Sequence, residues 1–392
     1  MSQREYLRQM PGQTGATLSP GLAMRLHLDA PLLAGLFVLM LGGLAVLYSA
    51  GGESLEMVIR QCVRFSAGLT ALFLLAQIPP RSYRFWAPFL YCGGLGLLVL
   101  VLIAGTEAKG AQRWLSIPGI GRFQPAEAMK LAVPAMVAWY FSERTLPPKL
   151  LDVLVALALL GVPAALIGMQ PDLGTAILIA ASGLVVLFMA GLSWRLIAVA
   201  VLLVVTAAPL MYFFVMHDYQ RNRVDTFLNP EADPRGTGWN IIQSKTAIGS
   251  GGVDGKGWLD GTQSRLDFLP ESSTDFILAV LSEEFGLVGV SFLLMIYLVI
   301  VGRGFFISWQ AQETFSRLLA SSLTMTFFIY IFVNIGMVSG LLPVVGVPLP
   351  LISYGGTSIV TLLASFGMLM SIHTHRRPVS YTHLRAHETD SY

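Results

Sequence analysis

The sequence predicts an all-α, polytopic integral membrane bundle of about ten transmembrane helices with one long extracytoplasmic loop. Three observations carry this expectation. Of 392 residues, 54% are hydrophobic and only 12% are charged, whereas a soluble domain carries roughly 25% charged residues. Mean hydropathy is +0.66. Apolar runs long enough to cross a bilayer, about 20 residues each, recur along most of the chain.

Taken in order, the spans fall near residues 30–50, 58–77, 83–105, 125–142 and 151–168. Five more follow near 172–191, 195–216, 276–301, 316–337 and 355–373. Only Met169-Gln170-Pro171-Asp172 parts the fifth from the sixth. Orientation follows from Lys and Arg in the short loops, which are retained on the cytoplasmic side. The N-terminal side holds twelve: Arg4, Arg8, Arg25, Arg81, Arg84, Arg144, Lys149, Arg195, Arg303, Arg317, Arg376 and Arg377. The opposite side's short loops hold three, Lys109, Arg113 and Arg122. Both termini are therefore expected in the cytoplasm, and the long loop at about 217–275 faces out.

Residues 1–29 form a polar cytoplasmic segment without the short apolar core of a cleavable signal, so the first span reads as a retained anchor. At the other end, 376–392 reads as a cytoplasmic tail. Its last part, Val379 to Tyr392, has no apolar period and looks like read-through or appended sequence. His373 and His375 are grouped with that disordered end. Cys62 and Cys92 lack metal-ligand spacing and read as small core residues. A net charge of +2 with no long basic run excludes nucleic acid as a partner.

In a membrane protein, ionisable residues at bilayer depth are candidates for function. Three clusters stand out, all on the outer side. In the first, Arg113 and Trp114 precede Phe123-Gln124-Pro125-Ala126-Glu127-Ala128-Met129-Lys130. Pro125 suits the first turn of a helix. Glu127 and Lys130 are three apart and share a face, either as an ion pair pinning two helices or as the wall of a cavity. Arg113 and Trp114 fit an interfacial anchor or a clamp for phosphate and sugar equally well. The second cluster is the long loop, with Arg221, Arg223, Gln243, Lys245 and the glycine run 249–257. That run lacks the strand and helix that a nucleotide-binding loop needs, so its glycines are expected to let the loop fold close against the bundle. The third runs Leu269-Pro270-Glu271-Ser272-Ser273-Thr274-Asp275-Phe276 into a helix bearing Glu283 and Glu284. Asp275 could simply cap that helix. However, Glu283 two turns on, and the polar strip 349–358 opening the last span, favour a functional surface. Arg60 and Arg64, four apart near the outer end of the second span, are expected to face inward, because facing lipid would be costly.

These clusters resemble the SEDS family of shape, elongation, division and sporulation proteins. The matching segments are GAQRWL (110–115), FQPAEAMKL (123–131), QPDLGTA (170–176), QSKTAIGSGG (243–252), GKGWLDGTQSRLDFLPESSTDF (255–276) and GLLPVVGVPLPLISYGG (340–356). They occur in family order over roughly residues 30–375, and Gly261-Thr262-Gln263-Ser264 before Leu269-Pro270-Glu271 looks more like the elongation branch than the division branch. Ala126, Val345, Leu351 and Thr357 depart from the usual residues without removing an ionisable group. The resemblance implies a peptidoglycan glycosyltransferase that polymerises lipid II into a growing glycan strand on the outer membrane face, together with a class B penicillin-binding protein. It also implies Asp275 as the catalytic carboxylate, with Trp114, Glu127 and Lys130 at important positions.

For that reaction a positioned base assists a sugar hydroxyl, and the departing pyrophosphate's charge needs cations. Arg113, Arg221, Arg223, Lys245, Arg60 and Arg64 are the candidates. A divalent cation, Mg or Mn, is a further expectation; no metal motif identifies its ligands, and no organic cofactor is expected. Two other readings remain open, a flippase or transporter of lipid-linked precursors and a non-catalytic scaffold for the penicillin-binding protein. The one-sided placement of the polar groups favours the enzyme.

Overall fold

The computed structural model describes residues 26–108, 111–117, 121–214, 216, 218–232, 237–265 and 271–375. The terminal segments read above as cytoplasmic, 1–25 and 376–392, lie outside the described residues. Ten apolar helices stand where the sequence predicts spans. They are α1 (Ala30–Ala50), α2 (Leu55–Gln77), α3 (Pro80–Ala104), α4 (Pro125–Ser142), α5 (Leu150–Gly168), α6 (Leu173–Met189) and α7 (Trp194–Phe214). After the long connection come α11 (Ile277–Trp309), α12 (Thr314–Val338) and α13 (Thr357–Thr374). Eight of the ten are individually long and apolar enough to cross a membrane; α4 and the shorter α6 fall outside that set. The chain is a multi-pass membrane protein.

Local chemistry sets the helix starts. Asp29 caps α1 by accepting from Leu32 N at 3.0 Å, and Asp172 caps α6 by accepting from Thr175 N at 3.3 Å. Each satisfies one of the orphan N–H groups of a first turn. Close packing then follows from small residues, as expected where lipid removes the hydrophobic drive between helices. On α13, a Cβ at Gly367 would lie 2.4 Å from Leu72 O of α2. Helices α4 and α12 sit at the centre of the bundle, each packed against several neighbours, and α7 stands at its edge with most side chains exposed.

Two connections are more ordered than the sequence reading allowed. The connection between α3 and α4, expected as a loop, carries an antiparallel sheet β1-β2-β3: β1 (Thr106–Ala108), β2 (Ala111–Ile117) and β3 (Gly121–Phe123). Thr106 pairs with Trp114 and Leu115 with Phe123, so the sheet folds back between α3 and α4. The long loop contains helices α8 (Asp218–Leu228), α9 (Thr237–Gly251) and the short α10 (Thr262–Arg265). Ile241, Ser244, Ala247 and Gly251 form the buried face of α9, and Ser244 Oγ donates to Val338 O at 2.8 Å.

At the end of the bundle opposite Asp275, the histidines depart from expectation. His373 belongs to α13, and His375 caps it. His373 Nδ1 lies 2.7 Å from Asp29 Oδ2, and Arg303 Nη2 lies 2.7 Å from the same oxygen. The His27 and His375 rings stack with centroids 4.0 Å apart. The helix runs on to Thr374 because no breaker interrupts it after the last apolar run, and a buried carboxylate then holds its end.

Candidate active site

Near the Asp275 end, α2, β2, α4, α6, α12, the segment before α13 and the first turn of α13 line a cavity of about 880 Å³. That lies within the roughly 300–1,000 Å³ typical of ligand sites. Arg64, Arg113, Trp114, Glu127 and Lys130 all line it.

The Glu127–Lys130 spacing works as the sequence predicts. Lys130 Nζ donates to Glu127 Oε1 at 2.7 Å, and Thr361 Oγ1 of α13 donates to the other oxygen at 2.9 Å. Lys130 also sits 5.1 Å above the ring centroid of Tyr330 on α12. Both members of the pair are buried. They are thus at once a helix-pinning pair and a cavity wall, and the two alternatives merge.

A second charged group was not singled out from the sequence. Asp172 Oδ2 accepts from Gln124 Nε2 at 2.9 Å and lies 3.8 Å from Arg113 Nη1. Arg113 Nε donates to Gln170 O at 3.2 Å, and Nη2 donates to Pro171 O. Arg113 is therefore bound to the turn that opens α6 rather than reaching freely into the cavity. The signal was present in QPDLGTA, whose Asp both caps a helix and faces a polar strip.

Asp275 stands at the edge of this cavity. The N-cap of α11 is Phe276, with no side-chain cap bond, so Asp275 lies one residue before the cap. A Cβ on Gly346, which lines the cavity, would be 3.5 Å from Asp275 Oδ2. Asn334, fully buried on α12, holds the local backbone by donating from Nδ2 to Asp275 O at 2.9 Å and to Val347 O at 2.8 Å. The two polar strips matched in the sequence do meet. Tyr354 N donates to Ser273 O at 2.8 Å, Ser353 Oγ donates to Thr274 O at 2.5 Å, and Gln61 Nε2 of α2 donates to Ser353 O at 3.1 Å. Asn334 and Gln61 escaped sequence reasoning because an amide in an apolar run carries no charge to mark it.

Several candidates sit elsewhere. Arg60 is 63% exposed and bonds Glu56 one turn earlier, contrary to the inward orientation expected of it. The buried stripe of α2 runs through Gln61 and Phe65. With about 100° per residue, Arg64 is nearer that stripe than Arg60 is. Arg221 donates to Phe213 O at 2.8 Å. Lys245 lies across Gly340, where a Cβ would meet its Cε at 2.3 Å. Among the described residues lining the cavity, none is Arg60, Arg221, Arg223, Gln243 or Lys245. The reason is that α9 packs along α11 and is tied to α12, which draws this part of the connection to the bundle's flank.

Glu283 also departs from expectation. It does not extend the Asp275 surface but binds the connection: Lys256 Nζ at 2.6 Å, Thr262 N at 2.8 Å and Gln263 N at 3.0 Å all donate to it. The glycine run does fold close against the bundle, as predicted. A Cβ at Gly255 would lie 2.1 Å from Glu284 O, and α11 kinks at Gly286, whose φ of 61° favours glycine.

The arrangement thus offers one carboxylate at the rim, two internally paired ionic groups and an arginine, in a cavity of ligand size. The family profile described as "cell cycle protein", that of FtsW, RodA and SpoVE, matches residues 23–378. The chain belongs to this family. It is the SEDS family that the motifs resemble. The chain is similar to the peptidoglycan glycosyltransferase MrdB of Escherichia coli K12, 54% identical over 91% of this chain and 96% of that protein. The probable peptidoglycan glycosyltransferase FtsW of Geobacter metallireducens is 39% identical over 81% of this chain and 85% of its own. Among solved structures, a chain described under the structural coordination of polymerization and crosslinking by a peptidoglycan synthase complex superposes with TM-score 0.78. It is 31% identical and covers 88% of this chain and 97% of its own. The rod-shape-determining protein RodA of Thermus thermophilus superposes with TM-score 0.66 at 28% identity, over 88% of this chain and 96% of its own. The SEDS cavity thus lies within a fold shared along most of the chain.

Proposed function

We propose that this chain polymerises lipid II during cell elongation, on the outer face of the cytoplasmic membrane, with Asp275 as general base. The enzyme is a peptidoglycan glycosyltransferase, as its curated relatives are named. The observation that carries the mechanism is the Asp275 carboxylate at the rim of the charged cavity, on backbone held by Asn334. The twelve-to-three asymmetry of basic residues supports an outward-facing rim and cytoplasmic termini.

At such a rim the 4-hydroxyl of one precursor sugar approaches C1 of another. Asp275 accepts the hydroxyl proton as the oxygen bonds to C1. The C1–oxygen bond to the pyrophosphate breaks, and its electron pair leaves with the polyprenyl pyrophosphate. A positioned base contributes about 10²–10⁴-fold. Glycosidases need a second carboxyl to protonate the leaving oxygen; a pyrophosphate departs without it, so one carboxylate suffices and cations stabilise the departing charge. For the expected Mg or Mn ion, no three His, Cys, Asp or Glu side chains gather as a ligand set among the described residues.

A class B penicillin-binding protein as partner is supported by the similarity to a chain of a synthase complex that couples polymerization to crosslinking. The test is purified protein in lipid nanodiscs or vesicles, alone and with that partner, supplied with lipid II and assayed for glycan polymer. Polymer is expected with at least one of the two preparations. Movement of lipid II across vesicles without any polymer would replace this reading with a transporter.

A further inference from the structure

The charges lining the cavity sort into pairs with one left over. Glu127 and Lys130 neutralise each other, as do Asp172 and Arg113. Arg64 has no ion pair among the described residues. Its guanidinium carbon lies over the Tyr354 ring, 4.1 Å from the centroid, and its Nη1 is enclosed without an acceptor. A buried polar donor without a partner is rare enough to require a cause. A guanidinium held on an aromatic face keeps its N–H edges in plane and free for an anion. Tyr354 is itself fixed through its backbone N–H, which donates to Ser273 O, two residues from Asp275.

We propose that Arg64, seated on Tyr354, is the pyrophosphate-binding cation of this cavity, and that Arg113 is a positioning residue that shapes the α6 turn. The inference rests on the glycosyltransferase reading and assigns the diphosphate of the lipid-linked substrate to one side chain. Arg113 cannot serve equally, because its three nitrogens already face Gln170 O, Pro171 O and Asp172. Planarity matters as well as charge, since an ammonium neither stacks nor forks onto two phosphate oxygens.

The test is equilibrium binding to the purified full chain in nanodiscs, with undecaprenyl pyrophosphate, undecaprenyl phosphate and inorganic pyrophosphate as probes. Arg64→Met, Arg64→Lys and Tyr354→Leu are compared with wild type, and thermal midpoints are recorded. Arg64→Met is expected to weaken undecaprenyl pyrophosphate at least tenfold and undecaprenyl phosphate less. Arg64→Lys is expected to recover only part of that loss, and Tyr354→Leu to fall between. Inorganic pyrophosphate competing in wild type but not in Arg64→Met places the contact on the diphosphate itself rather than the lipid tail. Unchanged undecaprenyl pyrophosphate affinity in a folded Arg64→Met protein overturns the assignment, even if wild type makes polymer. Absence of polymer from wild type, with the binding difference intact, would instead count against the glycosyltransferase reading.

Discussion

At the level of single residues, the same spacing rule gave two fates. Arg60 and Arg64 sit one turn apart on α2, yet only Arg64 reaches the cavity. Sequence spacing fixes which residues share a face; the neighbouring Glu56 and the ring of Tyr354 decide where each guanidinium goes. Glu127 and Lys130 were legible because both are costly at bilayer depth. Breaking a buried pair by removing one partner costs about 3–5 kcal/mol. Lys130→Met is therefore expected to lower stability by about that amount and to abolish polymerisation, whereas exchanging the two residues keeps the pair. Thermal unfolding and polymer assays of both variants check this; full activity in the exchange variant would reduce the pair to a structural pin. Asn334 gave no sequence signal. Its removal in Asn334→Leu deletes the donors to Asp275 O and to the buried Val347 O, where a buried carbonyl left unsatisfied costs about 1–3 kcal/mol, and loosens the backbone of Asp275. Activity is expected to fall more than stability does, which an activity-to-melting comparison at permissive temperature resolves.

Among the elements, the ten apolar helices were readable from length and hydropathy because lipid demands backbone bonds satisfied within each helix. The β1-β2-β3 sheet was not, since its strands are only three to seven residues long and lie between long apolar runs. In the long connection, the spacing of Ile241, Ser244, Ala247 and Gly251 was an available sign of helix α9, masked by its polar and glycine content. Glu283 was misplaced for a different reason. A carboxylate two turns into a helix looks functional from the sequence, but the chain supplies it with Lys256, Thr262 and Gln263. Glu283→Gln is accordingly expected to loosen residues 252–263, read as faster amide exchange there. Gly255→Ala should do the same by forcing a Cβ against Glu284 O. Unaltered exchange in both variants would separate this loop from α11.

Across the whole molecule, Asp29 ties the start of α1 to α11 through Arg303 and to α13 through His373. Burial opposes its ionisation, but the bonds from His373, Arg303 and Leu32 N outweigh it and hold the carboxyl well below the usual carboxylate range. A depressed folded value means that the group adds stability above its unfolded pKa of about 3.9. That contribution is lost as pH falls through the lower folded value. The thermal midpoint is therefore expected to decline below about pH 4, and Asp29→Asn to start lower at neutral pH with a shallower acid decline. An identical acid profile in the variant would remove Asp29 from the account. The two ends differ in chemistry: one is tied by a buried carboxylate shared among three helices, and the other opens the charged cavity. Legibility followed that contrast. Charged residues and motif order pointed to this end of the bundle and to five side chains that line the cavity, Arg64, Arg113, Trp114, Glu127 and Lys130. The partners that orient them, Asp172, Asn334 and Gln61, became visible only once helices distant in sequence were adjacent. The most direct test of the central claim is polymerisation of lipid II by purified Asp275→Asn protein, with folding and partner binding verified beside wild type. No polymer from a folded, partner-binding variant is the predicted result; polymer at the wild-type rate would contradict the assignment of Asp275 as the base.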